Sequence, residues 1–419
     1  MKGIKINSIY SIKLLSLVLS CLLLYTSCKK EDAEATYSGT PVITAIRMIN
    51  PAKKDSTFLK ANPGTQILIE GQNLGGIKSI TFNDYQASFN STYNTNNNVI
   101  VTIPPKAPTE ATVADVPNKL KIVTSHGETS FDFTLSIPPP MIDRVVNENT
   151  LPGEKLTVKG SNLWLVTKVV FPGNKEVTQV TSNADGSMLE VTVPADLGAT
   201  SGDLTIVAKY GTAVSKGYNL HEGAGVITNL TASWESGETS VFNWAWWGAL
   251  RYDDKSLFPG TRGAYIHNIF GGVGASDGGW WNGNRSGNFN EVTLFTDAIL
   301  GEPTANYALK FEVNTKEAWT TGIQVLRFGD SYAYRNMPYS AANDKVFDTK
   351  QKWETLTIPL SEFRTASGGV EGKGDNAAVM SKLVKAGGKV AFTYRFISEA
   401  DPIASFNAAF DNFRIVKIK

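Results

Sequence analysis

Covalent chemistry has few places to sit in this chain. The three histidines, His126, His221 and His267, are scattered and share no metal-ligand spacing. Both cysteines, Cys21 and Cys28, fall at the N-terminus, so the rest of the chain has neither a thiol nor a disulfide. What is concentrated is aromatic. Eight of the nine tryptophans lie beyond Gly223: Trp234, Trp244, Trp246, Trp247, Trp280, Trp281, Trp319 and Trp353. Trp280-Trp281 sits among Gly278, Gly279, Asn282, Gly283 and Asn284, a composition that calls for a loop. Adjacent side chains diverge, so both indoles cannot enter one core, and at least one is expected in solvent. If the 244–247 stretch is extended, Trp244 and Trp246 share a face and Trp247 takes the other. Tyr332, Tyr334 and Tyr339 form a further cluster.

The chemistry such a set supports is stacking. An exposed aromatic cluster marks a binding surface, and a pyranose ring has an apolar C–H face that lies flat on an indole. Burying about 100 Å² of apolar area contributes on the order of 2–3 kcal/mol before entropic losses. Two or three such platforms give high-micromolar to millimolar affinity, about −4 to −6 kcal/mol. Arg262, Asn282, Asn284 and Arg285 are the nearby polar side chains suited to sugar hydroxyls. A hydrolase would instead need two carboxylates about 5–10 Å apart. Asp253, Asp254, Asp277, Glu291 and Glu302 are available, but none sits in a catalytic signature, and no enzyme activity is expected. Forty basic against 39 acidic residues leave a net charge of +1 and no electrostatic case for nucleic acid.

These residues must be carried by something. Lys2, Lys5 and Lys13 precede an apolar run from Leu14 to Leu24 and then Tyr25-Thr26-Ser27-Cys28, the plan of a secretory signal peptide. The run is shorter than the roughly 20 residues a bilayer requires. A cysteine just after a small-residue site resembles the lipobox of bacterial lipoproteins, which implies lipidation at Cys28 and stable anchoring by several acyl chains. The charged segment Lys29 to Glu34 is a solvated tether, and its acidic residues resemble the surface-export signal of lipoproteins in glycan-foraging bacteria. Residues 1–28 are thus expected as signal and 29–40 as tether.

An internal repeat organises the first half. Pro63-Gly64, Ile67, Ile69, Gly71 and Asn73-Leu74 recur 89 residues later as Pro152-Gly153, Leu156, Val158, Gly160 and Asn162-Leu163. Ile80 and Phe82 map onto Val169 and Phe171, and Val101 to Pro104 answers to Val191 to Pro194. The alternation of Leu189, Val191 and Val193 with Glu190 and Thr192 is the period of half-buried strands. Gly71 and Gly160 follow a strand, where a turn would need positive φ. Each copy reads as a small antiparallel sandwich and resembles the immunoglobulin-like TIG (IPT) module, at 41–138 and 139–221. Phe82 and Phe171 are expected in the cores. Trp164 is expected as a loop plug or a contact to a neighbouring domain. Pro138-Pro139-Pro140 separates the copies as a stiff segment, and stand-off from the membrane is a sufficient role for the pair.

Residues 222–419 read as a larger β-sandwich of jelly-roll type. Leu309, Phe311 and Val313 alternate, as do Val390, Phe392, Tyr394 and Phe396. One helix is expected, capped by Asp375 or Asn376, with Val379, Met380, Leu383 and Val384 on its apolar face and Gly387 at its end. Trp353 and Trp234 are expected in the core. The stretch from Trp353 to Phe363 and the final Asp411-Asn412-Phe413 look like late strands of carbohydrate-binding modules. In such modules an acidic residue near the last strand often helps hold a structural calcium, which makes Asp411 its candidate here.

The whole order of parts, all-β, with a lipidated start, two TIG-like modules and a Trp-rich sandwich, resembles the B-type surface glycan-binding proteins of starch-utilisation-system-like loci. The resemblance implies a non-catalytic outer-membrane lipoprotein, facing the exterior, that binds a polysaccharide such as xyloglucan, mixed-linkage glucan or β-1,3-glucan. It needs no cofactor and works beside a glycan transporter, a companion glycan-binding lipoprotein and a surface glycanase. The platform positions it implies are Trp247 (or Trp246) and Trp280-Trp281, with Arg262, Asn282, Tyr332 and Tyr334 as further ligand contacts. Two other functions stay open: an adhesin or structural protein-binding lipoprotein, and a surface glycoside hydrolase.

Overall fold

The computed structural model describes residues 39–50, 52, 56–228, 230, 250–278, 283–341 and 344–419. Among these the secondary structure is strands with short 3-10 turns. The chain divides into two compact units, one ending at Ile137 and the other running from Pro138 to Lys419.

In the first unit a three-stranded sheet (Val42–Met48, Gln66–Gln72, Asn98–Thr102) faces a four-stranded one (Tyr85–Gln86, Ile77–Phe82, Lys119–Thr124, Gly127–Asp132). Ile67, Ile69, Ile80, Phe82, Val99 and Ile122 fill the space between them. The second unit begins with the same plan. Met141–Val145, Lys155–Ser161, Met188–Thr192 and Val180–Ser182 form one sheet, and Lys175–Val177, Val166–Phe171, Gly202–Ala208 and Gly211–Tyr218 the other. Phe171 packs edge-on against Tyr218 in its core.

The two repeats share their corners as well as their strands. Gly64 and Gly153 have φ of 84° and 85°, and their amides donate to Ile103 O and Val193 O at 2.8 and 2.9 Å. Gly71 and Gly160 correct the expectation of a left-handed turn, because both lie inside a strand. A Cβ on Gly71 would stand 2.1 Å from Val42 O, and one on Gly160 2.0 Å from Met141 O. Each faces a register shift in the partner strand, so glycine is required by close backbone approach at a bulge. The positive φ falls two residues later, on Asn73 (58°) and Asn162 (55°), whose side-chain amides donate to Thr40 O and Pro139 O. Trp164 is a loop plug: its Nε1 donates to Ala184 O, and its ring lies where a Cβ on Gly186 would be.

The C-terminal part is a sandwich of a six-stranded and a four-stranded sheet. The long strand Ile403–Lys417 is the spine of the larger sheet. It pairs with Tyr265–Val273 on one side and Tyr307–Thr315 on the other, with Glu354–Pro359 and Leu250–Tyr252 at the edges and Val226–Thr228 on its last turns. The smaller sheet runs Ser286–Asn288, Phe392–Ile397, Ile323–Phe328, Tyr332–Asn336. Phe311, Phe413 and Tyr394 stack between the two, with ring centroids 4.9 and 5.5 Å apart. Trp353 is buried with Phe258 and Tyr265, as expected, in a small cluster apart from the main core. The expected helix over 375–387 is absent. Of its expected apolar face Met380, Leu383 and Val384 do enter the core, through a single 3-10 turn, Met380–Lys382, while Val379 is only half buried and Ala377 packs in the core instead. Three-to-four spacing is satisfied by one such turn, and Arg364 pairing with Asn376 holds the would-be cap in extended form.

The second TIG-like module and the sandwich are joined by buried charge. Glu148, on the loop after Met141–Val145, places Oε1 2.5 Å from Lys310 Nζ and Oε2 2.8 Å from Arg414 Nη2. Arg414 also grips Glu312 through both terminal nitrogens, at 2.8 and 2.9 Å. All four side chains are at most 5% exposed. Glu312 further accepts from Thr355 Oγ1 and Asn149 Nδ2, and the Thr355 amide donates to Val146 O. His221 lies at the same junction, its Nδ1–H donating to Asn219 O at 2.8 Å. Burial, then the nearby Arg262 charge, holds its pKa below the ordinary 6.5, and burial does the same to His267.

A depressed histidine pKa means that the unfolded chain takes up the proton first. Stability of the second unit is therefore expected to be full above about pH 6.5 and to fall as pH drops below it. Melting temperatures recorded from pH 8 to 5 test this, and His221→Gln should flatten the slope, leaving the part due to His267. An unchanged slope in the variant would remove His221 from the account.

Candidate functional site: a groove on the four-stranded sheet

Alternation decides which side chains leave the core. Phe392, Tyr394 and Phe396 point inward, so Thr393 and Arg395 point out. Register then sets the rows: Asn288, Thr393 and Arg327 lie side by side, and Ser286, Arg395, Val325 and Arg335 form the next row. One half of this outer face is roofed by the segment 364–376. Arg364 pairs with Ala333, and Arg335 Nη1 donates to Glu371 O. Beneath it Ile323, Val325 and Ala333 form a small apolar cluster. The other half is an open groove of about 430 Å³, lined by Asn288, Arg327, Asp330, Lys385, Thr393 and Arg395.

The polar groups of the groove are held in place by one another. The Glu371 carboxylate bridges Arg327 Nε at 3.2 Å and Arg395 Nη2. Arg327 Nη2 also meets Asp330 Oδ1 at 3.4 Å, and Lys385 Nζ meets Glu291 Oε2 at 2.5 Å. Burial lowers the Arg395 pKa and the Glu371 charge opposes that. At the rim, Arg335 pairs with Glu399. These are fixed planar donors and acceptors on a shallow surface, the equipment for hydrogen-bonding a polyol.

The expected site residues fall in three groups. Trp246, Trp247, Trp280, Trp281 and Asn282 lie outside the described residues. Residues that precede Trp280-Trp281 are anchored past the end of strand Phe392–Ile397, away from the groove residues Ala391 to Thr393: the Ser276 amide donates to Glu399 O, the Asp277 amide to Ser398 Oγ, and Asp277 pairs with Arg285 at 3.4 Å. Arg262, expected beside the aromatic platform, is instead at the module junction, where its Nη2 donates to Asn219 Oδ1 at 2.5 Å. Tyr332 and Tyr334, expected as ligand contacts, face the core side, because they pair in register with the inward Phe328 and Leu326. Tyr334 packs on Phe363, and burial raises its phenol pKa.

Four of the five carboxylates considered for hydrolysis, Asp254, Asp277, Glu291 and Glu302, are otherwise employed. Asp254 accepts from the Ser256 hydroxyl and amide, and Glu302 accepts from Lys417 and Tyr307. Those hydrogen bonds, and that of Lys385 to Glu291, hold all three pKa values below the ordinary range, opposite to what a general acid needs. Asp411, the calcium candidate, is buried and accepts the Asn412 amide at 2.7 Å. Among the described residues no group of three or more His, Cys, Asp or Glu is placed to hold a metal. Sequence reasoning did not single out Arg327, Arg395 or Glu371. Arg395 was findable as a polar position in the strand whose alternating Phe392, Tyr394 and Phe396 were already expected, whereas the strand that carries Arg327, Ile323–Phe328, was not read from the sequence. Glu371 arrives from a loop, which no periodicity marks.

Residues 226–417 match the family model of the surface glycan-binding protein B xyloglucan-binding domain. The C-terminal domain belongs to that family. Its boundary agrees with the structure, in which Val226–Thr228 is the first strand to join the Ile403–Lys417 spine. The chain is also similar to an IPT/TIG domain-containing protein of Bacteroides ovatus, 32% identical over 197 residues, a match spanning 44% of this chain and 40% of that relative's length. Of solved structures, the surface glycan-binding protein PbSGBP-B from Prevotella bryantii aligns with 91% of this chain and all of its own. It is 22% identical, with a TM-score of 0.67. That likeness shows the same all-β plan of immunoglobulin-like modules and a β-sandwich.

Proposed function

We propose that the protein binds a polysaccharide without cleaving it, holding a β-glucan such as xyloglucan on the C-terminal surface glycan-binding protein B domain. The observation that carries this reading is the family match over the whole of that domain. The groove on its four-stranded sheet supports it, since it presents planar hydrogen-bonding groups on strand Phe392–Ile397, past whose end Ser276 and Asp277 are anchored. In this reading Trp280, Trp281 and Trp247 supply the stacking faces. Cys28 carries the lipid that fixes the protein to the outer membrane, facing outward, where a glycan transporter and a companion glycan-binding lipoprotein take the captured chain onward.

Affinity electrophoresis in gels containing xyloglucan, mixed-linkage β-glucan or β-1,3-glucan tests the reading. The purified protein should be retarded by at least one of them. Trp281→Ala or Trp247→Ala should weaken binding about tenfold or more, as loss of one 2–3 kcal/mol stacking platform requires. No retardation by any polysaccharide would defeat the proposal and favour a protein ligand.

A further inference from the structure

We infer that the Arg327–Glu371–Arg395 cluster is the specificity-determining element of the groove, and that it selects an uncharged glycan backbone over a uronate-containing one. The inference rests on the glycan-binding reading above and goes further, by assigning the polar half of recognition to three residues and by naming the charge class of the ligand.

The argument begins with geometry. Arg327 and Arg395 stand on neighbouring strands, one row apart, and both point away from the core. Two guanidinium planes at that spacing would repel and splay if nothing lay between them. Glu371 lies between them, one carboxylate oxygen on each, carried there by a segment pinned to the sheet at Arg364 and Ala333. Arg327 and Arg395, 18% and 16% exposed, line the groove, and Glu371, outside that lining, fixes both through its two ion pairs. Fixed planar forks suit the vicinal hydroxyl pairs of a sugar, and prior ordering lowers the cost of immobilising them on binding.

Charge decides the class. Arg327, Arg395 and Lys385 on the groove each face a carboxylate, from Asp330 and Glu371, Glu371, and Glu291 respectively. A surface balanced in this way offers no net attraction to a polyanion: Asp330 lines the groove and would repel a uronate directly, and Glu371 offsets the charge of the two arginines. A neutral hydroxyl-rich chain meets donors and acceptors with no such penalty. Glu371 is therefore the discriminating residue, because its loss would leave two cations side by side in the groove.

The test uses the whole mature protein and three probes: xyloglucan, mixed-linkage β-glucan and polygalacturonate. Wild-type protein should bind at least one neutral glucan and leave polygalacturonate unbound. Glu371→Ala should lower affinity for that glucan tenfold or more and gain measurable binding to polygalacturonate. Arg395→Lys keeps the charge and loses the planar fork, and should lose affinity for the glucan at least fivefold without gaining polygalacturonate. A melt of each variant shows whether it folds. If Glu371→Ala does not, Arg395→Lys and the wild-type preference decide. Wild-type glucan affinity retained in the folded variants would overturn this inference and leave the glycan-binding reading standing. A wild-type protein that binds no neutral glucan would overturn both.

Discussion

Replacing Glu148 with alanine will destabilise the second unit by about 3–5 kcal/mol, the usual cost of removing one partner from a buried ion pair. Its carboxylate stands between Lys310 and Arg414, which are 4% and 0% exposed. Without it Arg414 keeps only Glu312 and Lys310 only the Lys216 carbonyl oxygen, so the desolvation of the two cations is left partly uncompensated. For a unit of this size each kcal/mol lowers the melting temperature by about 2–4 °C, so a fall of roughly 10 °C is expected. The loss should appear in one shared transition, because Glu148 belongs to the TIG-like module and its partners to the glycan-binding domain. A fragment starting at residue 222 should melt lower than one starting at 138 for the same reason. By contrast Asp203→Ala, which removes a solvent-exposed pair with Lys216, should cost less than about 1 kcal/mol. Equal effects of Glu148→Ala and Asp203→Ala would mean that the junction contributes no stability.

The second large effect is expected at Gly160. A methyl group there would stand 2.0 Å from the Met141 carbonyl oxygen, inside a paired strand. Relief requires separating Met141–Val145 from Lys155–Ser161, and overpacking against backbone costs about 3 kcal/mol or more. Gly153→Ala has open space around the new methyl, so its cost comes only from a φ of 85°, about 1–2 kcal/mol. Chemical denaturation of the two variants separates the cases. A larger loss at Gly153 than at Gly160 would show that backbone conformation, and not strand approach, is what glycine supplies.

These positions also mark how far the chain could be read without coordinates. The 89-residue repeat located Gly71 and Gly160 correctly, yet assigned them the wrong cause. A sequence records that glycine is needed; whether φ or a carbonyl 2 Å away needs it depends on the partner strand. The 375–387 stretch failed for a related reason. Its apolar spacing matches one face of a helix, and Met380, Leu383 and Val384 reach the core from a single 3-10 turn once Arg364 has tied Asn376 into extended pairing. Tyr332 and Tyr334 looked free for a ligand because composition cannot say which face of an edge strand turns toward the core.

Alternation, the repeat and the placement of tryptophans were enough to determine an all-β chain of two small sandwiches and a larger one, with Phe82, Phe171 and Trp353 inside. These follow from period-two burial, which acts between neighbours in sequence. Lys310, Glu312 and Arg414 alternate with apolar residues and so belong on the outer side of their strands, where water would be the ordinary neighbour. They are buried because a loop more than 160 residues earlier brings Glu148 onto that side. The groove depends in the same way on Glu371 arriving between two arginines from other strands. Local pattern fixes the direction in which a side chain points, and only the assembled chain fixes what it meets there.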